Sequence, residues 1–228
     1  MKQFTSSKSF TENCGSLLNC NFNMGELILN MAKDIHQFDS HILSAKNLEF
    51  FNKYNNSAVS FSMLNNFLHR AYNCGIQLNT RYGRVFNIAS GISKTAICID
   101  NGQCQFVIKY NHSAIEYSSN NGTFALPRLD KSISKSVQQQ VLNQVATYDR
   151  LAHDTNIECH LLPPFRLYDR YNATVEPFAS HVGNVEDIAT MEEIRAFKIL
   201  MRQYNIGDMH QGNYGYFNGK IVAIDYAL

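Results

Sequence analysis

An α+β fold, with helices and strands segregated along the chain, is predicted for these 228 residues. Two observations carry the prediction. Apolar residues recur at helical spacing before residue 75 and again in two later stretches, whereas residues 84–110 break into short Val-, Ile- and Phe-rich runs divided by Gly91 and Asn101-Gly102. A last alternating pair of runs, joined by Asn218-Gly219, closes the sequence as a hairpin.

Residues 1–22 are polar, rich in Ser, Thr and Asn, and weakly periodic, which predicts an irregular start. From Gly25 the stripe Leu27, Ile28, Met31, Ile35 and Phe38 predicts a first helix. Leu48, Phe50, Phe51 and Tyr54 form a further apolar segment, and Phe61, Leu64, Phe67, Leu68 and Tyr72 predict a second helix that stops at Cys74-Gly75. Residues 84–90, 95–100 and 103–110 read as a three-stranded antiparallel meander. A helix fits 134–153 through Val137, Val141, Leu142, Val145, Tyr148 and Leu151, followed by extended segments over 161–168 and 172–178. Ile194, Phe197, Met201 and Tyr204 then mark a helix over 191–204, which delivers the chain to Asp208. These elements divide into a start and helical extension (1–80), a sheet-plus-helix unit (81–178) and a short last unit (179–228).

Composition narrows the function classes. Twenty basic residues against nineteen acidic give a net charge of +1, so no electrostatic footprint for nucleic acid or an acidic membrane stands out. The six cysteines form no CxxC pair and show no metal-ligand spacing with histidine, which fits reduced thiols in a cytoplasmic protein. No apolar stretch is long enough for a signal h-region or a membrane span.

Chemistry concentrates near the carboxyl end. Gly207-Asp208-Met209-His210-Gln211-Gly212-Asn213 places an Asp and an Asn five positions apart, and the apolar run 221–224 ends on Asp225. Phosphoryl transfer from Mg-nucleotide needs these residue types: a carboxylate to accept the proton of the attacking hydroxyl, and hard oxygens for magnesium. Asp208 is the candidate base, and Asn213 and Asp225 are the candidate metal ligands. His210, inside the loop, is read as holding the loop rather than exchanging protons.

Upstream, Phe106-Val107-Ile108-Lys109 is an apolar run ending in a lysine, similar to the kinase arrangement in which a strand lysine reaches the nucleotide phosphates, and that likeness makes Lys109 the candidate phosphate contact and a catalytic partner of Asp208. Before it, the loop Ile88-Ala89-Ser90-Gly91-Ile92-Ser93-Lys94-Thr95 has one glycine, with Ser90 and Gly91 as candidate nucleotide-binding residues. Lys94 could add charge there, although an exposed hairpin-tip lysine is the commoner meaning. Where a helix glutamate would hold the strand lysine, the helix carries Gln144, whose amide oxygen could accept from Lys109; Glu116 and Asp149 are possible substitutes. Glu176 and Phe178, around Pro177, are the candidate segment for the adenine edge.

With residues 88–95, Val107-Ile108-Lys109, Asp208-Met209-His210-Gln211-Gly212-Asn213 and Ala223-Ile224-Asp225 in this order, the chain resembles the protein-kinase-like superfamily. Within it, the sequence looks most like the early serine/threonine protein kinases of tailed bacteriophages, over about residues 60–227. The resemblance implies a two-lobed kinase-like fold with an N-terminal helical extension and a truncated C-terminal lobe. It also implies ATP and Mg2+ as cofactors, and phosphorylation of Ser or Thr on host bacterial proteins in the host cytoplasm. Residues 24–75 are expected to pack against the shortened lobe and support it. Two other readings stand beside this one: a non-catalytic kinase-like binder of a host protein, favoured by Gln144 and the single-glycine loop, and a small-molecule phosphotransferase of the aminoglycoside type.

Overall fold

The computed structural model describes residues 23–54, 58–90, 94–111, 115–116, 119–120, 123–124, 128–129, 131–167 and 173–226. The irregular start expected over 1–22 lies outside them.

Three helices come first: α1 (Met24–Phe38), α2 (Ala45–Tyr54) and α3 (Ala58–Asn73). Asn23 begins α1 by accepting a hydrogen bond from the Glu26 N–H at 3.1 Å, satisfying one of the donors a helix start leaves open. The stripe Leu27, Ile28, Met31 and Ile35 is then buried, as its spacing predicts.

A six-stranded antiparallel sheet follows. Its strands are β1 (Asn79–Thr80), β2 (Gly83–Ser90), β3 (Lys94–Asp100) and β4 (Gln105–Asn111), and after an excursion β9 (Phe165–Arg166) and β10 (Thr174–Pro177). Among its described residues the excursion holds four two-residue strands, β5 (Ile115–Glu116), β6 (Ser119–Asn120), β7 (Thr123–Phe124) and β8 (Arg128–Leu129), and helix α4 (Lys131–Leu151). The order across the sheet is β1-β2-β3-β4-β10-β9, so the predicted meander β2-β3-β4 is extended by β10 beside β4.

Strand alternation gives the sheet two unlike faces. Ile97, Ile99, Phe106, Ile108, Tyr110 and Val175 join one hydrophobic cluster with α1, α2 and α3. The helices at 24–73 therefore cover the sheet, and the expectation that they brace the carboxyl-terminal part is corrected: the apolar face of the sheet was the surface in need of cover. The opposite face carries Lys94, Ala96 and Cys98 on β3, Val107 and Lys109 on β4, and Thr174 and Glu176 on β10.

A second cluster gathers around helix α5 (Met191–Gln203), with Ile194, Phe197 and Met201 packed on Ile157, Leu161, Ile206, Met209, Tyr214, Ile221 and Tyr226. Tyr148 and Leu151, at the end of α4, pack against it too. Over it lies the hairpin β11 (Tyr214–Phe217) and β12 (Lys220–Ala223). Asn218 at φ 50 and Gly219 at φ 78 form its turn, the doubly left-handed pair that a two-residue Asn-Gly hairpin requires.

Candidate active site

The loop with Asp208 is fixed at both ends by local sequence. At the end of α5, Asn205 takes the left-handed conformation (φ 62). The Asn205 N–H donates to Arg202 O at 3.0 Å and the Ile206 N–H to Met201 O at 2.9 Å, a Schellman stop in which buried Ile206 and Met201 share one core. Met209 is buried in the same core, and Asp208 and His210 on either side of it are exposed. His210 caps a short 3-10 turn (Gln211–Asn213): its Nδ1 accepts from the Gly212 N–H at 3.1 Å. A Cβ at position 212 would lie 3.0 Å from His210 Cε1, so glycine there lets the ring close over the turn. The loop-holding role expected of His210 is what the structure gives it.

Asn213, at the end of that turn, is buried, and its Nδ2 donates to the main-chain oxygen of Asp208 at 2.8 Å. That bond commits the amide nitrogen and leaves the Oδ1 acceptor for a ligand. The hairpin returns Asp225 to the same place, because Tyr214 pairs with Ala223 and the Ile224 N–H donates to Asn213 O at 2.9 Å. Tyr226 then anchors the segment through its hydroxyl, which donates to Leu162 O at 2.5 Å.

The polar face of the sheet meets this segment. Lys109, its side chain 11% exposed, makes an ion pair with fully buried Glu176 at 2.7 Å and also donates to Ile224 O. The pair is diagonal: Lys109 stands opposite Thr174, and Glu176 stands opposite Val107. Gln144 of α4 joins them, with its Nε2 donating to Glu176 Oε1 at 3.1 Å and to Ile224 O at 3.2 Å. Burial pushes the Glu176 carboxyl above its ordinary range while the Lys109 ammonium pulls it down, and burial is the larger effect. Cys98 lies on this face as well; burial drives its thiol up to about 12, against the pull of Lys109, which leaves it protonated and inert.

The structure thus revises the support for Lys109. Gln144 donates to Glu176 Oε1 while Lys109 pairs with Oε2, and both donate to Ile224 O, where the sequence pointed to the Gln144 amide oxygen as an acceptor from Lys109. The carboxylate comes from β10, since a desolvated ammonium is held better by a charged acceptor than by an amide. Asp149, on α4, is exposed, and the Glu116 side chain lies outside the description. Phe178 donates its N–H to Gln105 O at 3.2 Å and stacks edge to face on Phe86, with centroids 5.0 Å apart. Its amide is therefore engaged by the sheet rather than open to an adenine edge. Ser90 ends β2 opposite Thr95, its side chain undescribed, and Gly91 lies outside the described residues.

Lys94, read from the sequence either as added charge at the loop or as an exposed hairpin-tip lysine, is largely covered. Its Nζ lies 2.6 Å from Asp225 Oδ1, the ammonium side chain being 12% exposed and the carboxylate 38%. Two lysines and an amide consequently converge on Ile224-Asp225, next to Asn213 and the Asp208 loop.

The donor set fits magnesium held jointly with phosphate. Asn213 Oδ1 and the Asp225 carboxylate are hard oxygens, and a Mg2+ bound by one or two protein groups fills its shell with substrate phosphates and water. Among the described residues, no group of three or more His, Cys, Asp or Glu comes together as a self-sufficient metal cage.

No protein-family model matches the chain. No curated protein matches it either. Among solved structures, it is similar to the Rio2 kinase from Chaetomium thermophilum, with a TM-score of 0.40 and 11% identity over 93% of this chain and 74% of that one. The same kinase in its ADP/Mg2+-phosphoaspartate complex gives a TM-score of 0.38 and 10% identity, with the same shares covered.

Proposed function

We propose that this chain binds ATP with Mg2+ and transfers the γ-phosphoryl group to a protein hydroxyl, with Ser or Thr of host bacterial proteins as the acceptor class. The observation that supports this most is the convergence of Lys109 and Gln144 on Ile224 O, and of Lys94 on Asp225, beside the Asn213 turn. A sheet face with a buried, held lysine and a loop with hard oxygen donors meet on two consecutive residues.

Each residue then has a task. An ammonium has three N–H donors, and Lys109 commits itself to Glu176 and Ile224 O, which leaves one for a phosphate oxygen. Glu176 and Gln144 hold it in place, so Lys109 is preorganised rather than searching rotamers. Asn213 and Asp225 would hold the metal, which when bound neutralises charge gathering on the transferred phosphoryl oxygens. Asp208 is exposed and can reach an incoming acceptor; it takes the hydroxyl proton as that oxygen attacks phosphorus and the bond to the ADP leaving group breaks.

Incubation with γ-labelled ATP, magnesium and a bacterial lysate tests the reading. Labelled protein bands that disappear with Asp208→Ala support it; equal labelling by Asp208→Ala contradicts the base role. ATP turnover that requires an added small molecule and labels no protein would instead favour a metabolite or antibiotic as acceptor.

A further inference from the structure

Lys94 Nζ donates, at 2.6 Å, to Oδ1 of the carboxylate that the proposed reaction assigns to magnesium. Its backbone is fixed at the start of β3, where Lys94 pairs with Asn111 and Thr95 with Tyr110. The exposures are unequal: the lysine side chain is 12% exposed and its partner 38%. The ammonium is therefore covered by protein, while the carboxylate keeps an open side toward solvent. A covered ammonium needs an anion beside it, and Asp225 is the carboxylate in direct contact with Lys94, with buried Glu176 acting on it at longer range.

A divalent ion arriving alone meets an Asp225 that is already neutralised. Magnesium binds oxygen at about 2.0–2.1 Å, so on either carboxylate oxygen it would sit within a few ångströms of the ammonium and be repelled by it. Nucleotide phosphates change that balance, since they bring several negative oxygens to which the ammonium can turn. Resting on the phosphoryl-transfer reading, we infer that Lys94 is a built-in counter-cation: it holds Asp225 while the site is empty and passes to the nucleotide phosphates when the metal–nucleotide complex binds. The metal then enters with the nucleotide and not before it. Lys94 is in this sense a positioning and ordering residue, whose work is separate from that of Lys109 on the same face.

Mn2+ titration followed by electron paramagnetic resonance of the free ion tests this without any turnover. Wild type, Lys94→Met, Lys94→Gln and Lys94→Arg are each titrated with Mn2+ alone and then with Mn2+ plus ATP. Removing the competing charge is expected to tighten binding of Mn2+ alone by about tenfold in the Met and Gln variants, and to weaken binding of the Mn2+–ATP complex by a similar factor. Lys94→Arg, which keeps the charge, is expected to behave as wild type in both titrations. Asp225→Asn added to Lys94→Met should abolish the gain. If the Met and Gln variants bind Mn2+ alone no more tightly than wild type, the inference is overturned while the phosphoryl-transfer reading stands. If wild type binds no Mn2+ even with ATP, that reading falls and the inference with it.

Discussion

Glu176 is a fully buried carboxylate, and a cation beside it is what makes that placement tolerable. Lys109→Met should therefore destabilise the protein by about 3–5 kcal/mol in urea unfolding, as expected when one partner of a buried pair is lost, and adding Glu176→Gln should recover more than half of that. Additive losses in the double variant would show that the two side chains do not interact. A pH dependence follows from the same residue. Burial raises the folded-state pKa of Glu176 above its ordinary 4.5, so the native chain holds this proton more tightly than the unfolded one. Its contribution is greatest below pH 4.5 and is lost as pH rises through the elevated folded value. The melting temperature of Glu176→Gln relative to wild type should accordingly climb as pH rises from 4.5, and a flat difference would contradict the assignment. Lys109 was legible because a lysine closing an apolar run is conspicuous. The partnership with Glu176 was not: it runs diagonally between strands whose adjacency depends on β10 returning beside β4, and no local pattern encodes that. Lys94 was named as a possible charge at the loop, but its pairing with Asp225 was not legible for a related reason, since that partner lies in another part of the chain.

Elements explain how Asp225 reaches Asn213. The β11–β12 hairpin sets the register, and its turn needs left-handed backbone at both Asn218 and Gly219. Gly219→Ala meets no atom within 4 Å, so its penalty is conformational alone. It should cost about 1 kcal/mol, read as a lower urea midpoint with unchanged slope. A null effect would mean that the turn does not constrain the hairpin. Elements such as α1, α5, the meander and this hairpin were readable because each carries its own signal: an apolar stripe, a strand run or an Asn-Gly pair. Helix α5 even announces its start through the Thr190 and Glu193 capping box. What the elements pack against was less readable. The stripes of α1 and α3 declare a buried face without naming its partner, and the sheet proved to be that partner.

At the scale of the molecule, the two larger hydrophobic clusters among the described residues are linked by polar contacts, with a small third cluster of Leu162, Ala179 and Val222 beside them. The first holds α1, α2, α3 and the back of the sheet; the second surrounds α5 and the hairpin. The polar contacts are the bonds from Lys109 and Gln144 to Ile224 O and from Lys94 to Asp225. Asp225, its side chain 38% exposed, is thus both a structural contact in the empty site and the proposed metal ligand, and metal–nucleotide binding should stabilise the folded chain by linkage. Thermal melting of the parent chain and of Asp225→Ala, each with ATP in the presence and absence of magnesium, tests this central claim most directly. The account predicts a magnesium-dependent rise in melting temperature with ATP for the parent chain and none for Asp225→Ala. An equal magnesium-dependent rise in both, or none in the parent chain, would contradict it.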